Sequence, residues 1–365
     1  MLTLKNTYLF YSPNYSRFVF LKTYLLIQSC FKRKSNSCKP LERLVIRMAY
    51  DVFCGGILVA DHICDPISHL PLEGELVATN SMGMSLGGCA ANVAVCLRKL
   101  NVFPRISGRV GKDHFGTMIS EMLREQQIPS EGIETDAHET TSQTMVVNVK
   151  GQDRRFIHCI GANKTFSDIN LNWEHIKDCK ILYLGGYLLM KKLSPNHVAN
   201  VFSKAQKQGI TTILDVVTPG REDFMPSLAP VLPFTDIFMP NDTEAQLITG
   251  KTDSLEQALF FQHSGVKTTI ITKGSKGTLM ATPGGTWVAD IFSMDYVDGS
   301  GSGDAFAAGF MKGILNNRSQ TECLVMGSAM GASVVRATGT TKSAFTEKEL
   351  ENYVQQNKLS IQKIA

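Results

Sequence analysis

From Tyr50 onward, short unbroken apolar runs alternate with longer stretches in which apolar residues recur every three to four positions. Runs of the first kind read as strands buried on both faces, and those of the second as helices packed on a sheet. The pattern predicts strands over 50–59, 105–110, 180–184, 211–216, 235–239, 267–272 and 278–281. It predicts helices over 90–100, 114–127, 195–208, 243–249, 254–264, 303–316, 320–337 and 346–356. Strict strand–helix alternation implies a mainly parallel sheet covered on both faces. Two regions break the rhythm. Short β-like stretches at 76–78 and 82–86, and two strands at 142–149 and 154–160 with hairpin spacing, fit a small separate sheet. Segments at about 61–86 and 142–160 are therefore expected to form a flap over the main domain.

The first 47 residues show neither pattern. They mix aromatic and basic clusters at 8–11, 18–22 and 31–34. This stretch reads as a disordered extension, or as sequence ahead of a true start at Met48; a targeting or membrane-surface role is the functional alternative. The folded domain is then 48–360. No run of 18 apolar residues occurs, so no transmembrane segment is expected.

Composition narrows the class. The chain is 43% hydrophobic and 19% charged over 365 residues, as in a folded globular protein. Its nine cysteines form no paired CxxC set, which argues against a zinc site or disulfide framework and for a reducing, cytoplasmic setting. The net charge of +4 conceals a split. Residues 1–47 hold nine Lys and Arg against Glu42 alone, a balance of +8, while the remaining 28 basic and 32 acidic residues give −4. A mildly acidic body excludes a nucleic-acid-binding surface.

The candidate chemistry sits in Asp298-Gly-Ser-Gly-Ser-Gly-Asp304, followed by an apolar helix. A glycine-rich turn at a helix N-terminus exposes backbone N–H groups and favours phosphate. A carboxylate repels phosphate, so Asp304 is out of place unless it takes a proton from an alcohol attacking that phosphate. Taken alone, it could equally be an N-cap. Asn241 and Glu244 alone read as a capping box, and Asp61 alone as a turn residue. Arg154 and Arg155 sit on the predicted hairpin and could touch substrate, but a solvated face of the flap is the preferred reading; no histidine pair has metal-ligand spacing.

Four segments in order change the weighing: Gly87-Gly88-Cys-Ala-Ala-Asn92, Pro240-Asn241-Asp-Thr-Glu244, Thr272-Lys-Gly-Ser-Lys-Gly277, and Asp298 to Asp304. Together they resemble the signatures of the ribokinase-like (PfkB-type) carbohydrate kinases, over nearly the whole chain from Tyr50. The resemblance implies a three-layer α/β/α core with a mainly parallel sheet and a small β-sheet lid. It implies an enzyme that moves phosphate from ATP, with magnesium, to a hydroxyl of a small polyhydroxyl substrate. By the same resemblance Asp304 is the base and the N–H groups of Gly301, Ser302 and Gly303 form the anion hole. Asp61, Gly87, Gly88 and Asn92 line the substrate pocket. Asn241 and Glu244 organise magnesium through water, and Thr272, Gly274, Ser275 and Gly277 meet the nucleotide. Asp298 and Ser300, with carbonyls near Val334, Ala337, Gly339 and Ser343, are the implied potassium site. A homodimer through the lid is the implied assembly.

The chain departs from the family pattern at three points. Gly299 and Ser302 replace the commoner Thr and Ala, and both changes keep the loop small. Cys89 stands where several members carry lysine, which weakens the case for a phosphorylated substrate. No obvious aromatic is placed to stack on a nucleobase. An unphosphorylated sugar is therefore the first expectation and a nucleoside the second. A non-catalytic sugar or nucleotide sensor of the same fold is the alternative outside enzymes.

Overall fold

The structure, a computed structural model, describes residues 50–152 and 154–365. The expectations for residues 1–47 lie outside the described residues. Ten strands form one large sheet in the order β14-β13-β12-β11-β10-β9-β8-β1-β4-β5. Its centre is β1 (Val52–Gly56), flanked by β8 (Ile181–Gly185) and β4 (Pro104–Gly111), both parallel to it. Every residue of β1 and β8 is buried, as their unbroken apolar runs require. The parallel part continues through β9 (Thr211–Leu214), β10 (Ile237–Phe238) and β11 (Thr268–Thr272) on one side and β5 (Ile133–Asp136) on the other. β12 (Thr278–Thr282), β13 (Gly285–Ala289) and β14 (Ile361–Lys363) close one edge antiparallel.

Eight helices of eight or more residues occur among the described residues: α1 (Cys89–Lys99), α2 (His114–Glu125), α3 (Pro195–Lys207), α4 (Asp242–Thr249), α5 (Ser254–His263), α6 (Ser302–Leu315), α7 (Gln320–Val334) and α8 (Glu347–Gln356). Their starts obey local chemistry. Asp113 caps α2 by accepting from the Gly116 N–H, and reciprocal capping boxes open α4, α7 and α8. The result is the three-layer α/β/α core expected from the alternation.

A second sheet, in the order β3-β2-β6-β7, gathers the pieces that broke the rhythm: β2 (Val59–Cys64), β3 (Met82–Gly87), β6 (Gln143–Val147) and β7 (Arg155–Cys159). β2 is antiparallel to β3 but parallel to β6. The register sets Asp61 opposite Ser85 on one side and Thr144 on the other.

The sequence reading needs three corrections here. The strand expected over 50–59 is two strands in two sheets. The chain leaves the large sheet at Gly56, whose φ of 144° and close approach to the Gly185 carbonyl admit no side chain. Asn163 then holds the crossing: its Oδ1 accepts from the Leu58 N–H at 3.1 Å and its Nδ2 donates to the Leu58 carbonyl at 2.9 Å. Residues 76–78 form no strand, and Leu76 lies exposed. β5, β13 and β14 had not been expected. They are short or partly exposed and carry no continuous apolar run.

Candidate active site

Asp304 lies in the first turn of α6, behind Gly301, whose φ of 75° makes it the left-handed residue that admits the turn. A Cβ at 301 would also sit 2.3 Å from the Thr340 carbonyl. The face at Gly303 is open, with no atom within 4 Å of where its Cβ would point. That is the side from which an anion can reach the helix terminus. Of the three expected anion-hole donors, the Ser302 N–H already makes a long bond, 3.3 Å, to the Gly299 carbonyl.

α1 brings the first signature to the same place. Asn92 is buried and its Nδ2 donates to Asp304 Oδ2 at 2.8 Å. The amide is held from behind by Thr340, whose Oγ1 lies 2.8 Å from Asn92 Oδ1 and 2.9 Å from the Leu86 carbonyl. Cys89, at the start of α1, is buried with its thiol bonded to Asp304. Thr340 carried no motif, so sequence reasoning missed it.

It also missed Asp215 and Tyr183. The Tyr183 hydroxyl donates to Asp215 Oδ2 at 2.6 Å. One ligand atom each of Cys89, Asp215 and Asp304 lie within 4.8 Å of one another. A carboxylate at the end of a buried strand was the available signal: Asp215 follows β9 directly.

Asp61 is 8% exposed and takes a hydrogen bond from Thr144. Gly87 lies against it: a Cβ there would fall 2.0 Å from Asp61 Oδ2. Gly88, at φ 89°, caps α1 and abuts the Ile57 carbonyl. Asn241 and Glu244 form the capping box of α4, with Asn241 N–H to Glu244 Oε2 and Glu244 N–H to Asn241 Oδ1 both at 2.9 Å. A single bridge pairs Asn241 with Thr272, so the second and third signatures meet. Gly274 opens to free space, and Ser275 lies exposed in the turn. Gly277 instead makes its close approach to the Ala289 carbonyl, so this glycine serves the edge of the sheet.

Asp298 is buried and accepts from the Ser300 N–H and hydroxyl and from the Gly339 N–H. The Val334 carbonyl accepts from the Ser343 hydroxyl at 2.8 Å, and the Ser343 carbonyl from the Arg336 guanidinium at 2.7 Å. Ala337 is half-buried beside them.

Electrostatically the centre is a concentration of carboxylates. Burial raises Asp304 to about 6, against bonds from Asn92 and Cys89 that favour its charged form. Burial, and then the charge of Asp304, raises Asp215 to about 7. Burial likewise lifts Asp61 to about 7, and burial followed by Asp215 lifts Glu244 to about 8. Desolvated like charges of this kind mark a site built to receive cations or a proton.

A family model for the pfkB family carbohydrate kinases matches residues 49–347. The chain is 24% identical to the ribokinase of Haemophilus influenzae over 310 residues, 82% of this chain and 97% of that one. It is 29% identical to the ribokinase of Arabidopsis thaliana over 284 residues, 75% of this chain and 73% of that one. The solved structure of Arabidopsis ribokinase complexed with ribose and ATP superposes with a TM-score of 0.71 at 26% identity, covering 84% of this chain and 99% of that one. A nucleoside kinase from Burkholderia thailandensis in complex with inosine shares the fold, with a TM-score of 0.67 at 22% identity over 84% of this chain and 96% of that one.

Proposed function

This chain belongs to the pfkB family of carbohydrate kinases, which are ATP-dependent phosphotransferases, and from that premise we propose that it phosphorylates a hydroxyl of an unphosphorylated sugar with Asp304 as the base. The observation that carries the reading is the 2.8 Å bond from Asn92 to Asp304, because it joins the expected sugar side to the expected phosphate side. In this reading Asp61, Asn92 and the backbone at Gly87 and Gly88 hold the sugar. Asp304 accepts the proton of the attacking hydroxyl. Its acidity, moved to about 6, leaves it ionised at neutral pH yet basic enough to take part. The N–H groups at 301–303 face the migrating phosphoryl group, and residues 272–277 meet the nucleotide.

Magnesium, when bound, neutralises phosphate charge. Glu244 and Asn241 would hold it through water, and the burial and mutual repulsion that raise Asp215 to about 7 and Glu244 to about 8 are what a bound cation would offset. Cys89 supplies no cation for a substrate phosphate, which supports an unphosphorylated acceptor. The exposed apolar side chains Met82, Met145, Phe156 and Ile157 of the small sheet support a homodimer through that sheet.

The test is an ADP-release screen over sugars, polyols, sugar phosphates and nucleosides with magnesium. Arms with and without potassium are needed because Arg336 already places a fixed positive charge on the Ser343 carbonyl. An unphosphorylated sugar is expected to give turnover, and Asp304→Asn to remove most of it while ATP binding persists. Preference for a nucleoside or a sugar phosphate, or undiminished turnover in Asp304→Asn, overturns the assignment. Ligand-induced stabilisation without ADP release marks a sensor instead.

A further inference from the structure

Gly299 is an anomaly that its backbone does not explain. It is absent from the positive-φ glycines, so a side chain would cost nothing conformationally at this position. What its missing side chain provides is room. A Cβ at 299 would lie 2.6 Å from Nη1 of Arg154 and 3.1 Å from the Tyr296 hydroxyl. The turn between β6 and β7 in the small sheet thus lays a guanidinium directly on the Asp298–Asp304 loop of the large domain. The neighbouring Arg155 behaves otherwise: it is exposed and bonded to Gln152 Oε1 at 2.7 Å, while Arg154 is half-buried over the Phe156 ring, 5.6 Å from its centroid. The expectation that both arginines form a solvated face holds for Arg155 and fails for Arg154.

The guanidinium thus lies against the loop that leads into the N-terminus of α6, whose N–H groups and positive partial charge favour an anion. A cation beside the same loop adds to that attraction. A guanidinium fork matches phosphate oxygens in shape and charge, where an ammonium offers only a point.

We propose that Arg154 is a catalytic residue of the phosphoryl transfer, its guanidinium resting on Gly299 so as to contact the phosphate groups of ATP bound at the 298–304 loop. Gly299 is the space that admits it. The proposal rests on the kinase reading above. No bond forms or breaks at Arg154; it stabilises charge on the phosphate oxygens while the proton goes to Asp304.

The experiment is a double-mutant cycle on the full chain, run with the sugar that gives turnover in the wild-type protein. Arg154→Met is expected to lower kcat by about 100- to 1000-fold, the range for loss of one preorganised charge-stabilising group, with KM for the sugar little changed. Gly299→Ala presses on the ends of two side chains, Arg154 and more lightly Tyr296, and none of the three nearest atoms is backbone, so it is expected to displace Arg154 without disturbing the fold. It should reproduce much of the kcat loss, yet add little in the Arg154→Met background. Arg154→Lys should recover part of the rate. Melting temperatures of all variants are read alongside. Wild-type kcat in Arg154→Met, or equal additive losses from Gly299→Ala in both backgrounds, overturns the proposal. A lowered melting temperature with unchanged kcat makes Arg154 a structural latch and overturns it equally. Absence of turnover in the wild-type protein with every acceptor instead counts against the kinase reading itself.

Discussion

Thr340→Val isolates one link of the proposed catalytic centre. The hydroxyl of Thr340 has a single proton and two acceptors in reach, Asn92 Oδ1 at 2.8 Å and the Leu86 carbonyl at 2.9 Å. Its bond to Oδ1 fixes which end of the amide points at Asp304. Valine keeps the shape and removes the donor, leaving buried acceptors unmatched at a cost of about 1–3 kcal/mol. If that whole cost falls on the orientation of Asn92, kcat drops by roughly 5- to 150-fold, since 1.36 kcal/mol is tenfold in rate. The pH dependence carries a second signature. The Asn92 N–H favours ionised Asp304 and so lowers its pKa; losing it moves that pKa above its present value of about 6. The acid limb of the rate profile must then shift to higher pH. The assay is initial rate against pH from about 5 to 9, across the range where the base titrates, with Thr340→Ser as the conservative control. Wild-type kcat and an unmoved acid limb in Thr340→Val would refute the reasoning.

Two further outcomes follow from the carboxylates. Gly87→Ala drives a methyl into Asp61 Oδ2, 2.0 Å away, and should raise KM for the sugar far more than KM for ATP, as measured by steady-state kinetics. Asp215→Asn should stabilise the protein in a pH-dependent way. The wild-type carboxyl is raised from 3.8 to about 7, so the folded state is penalised for its charge at pH above 7, and the penalty fades as pH falls toward 4. Denaturant midpoints should therefore favour the variant at pH 8 and converge with wild type at pH 4, both values taken from the ends of that titration window; a constant difference would contradict the assigned burial.

The core was legible because β1 and β8 are buried on both faces and therefore read as unbroken apolar runs. The edge strands β13 and β14 escaped because a half-exposed strand of five or three residues carries too few apolar positions to show a period. Glycine signatures announced the proposed phosphate side, since a turn at φ 75° before a helix needs that residue. Tyr183 and Thr340 gave no such notice, and Asp215 gave only its place directly after a buried strand. Their roles come from long-range contacts, Thr340 reaching Asn92 across 248 positions, and nothing local distinguishes such a threonine from any other buried one.

The capping box of α4 has one more implication. Asn241 and Glu244 bind each other's backbone whether or not a metal is near, and so begin the helix on their own account. A descendant of this chain that lost catalysis would still have reason to keep both residues in order to fold. Their presence in a sequence is therefore weak testimony of turnover. Asp304, Gly303 and the space at Gly299, which no helix start requires in this combination, are the better witnesses.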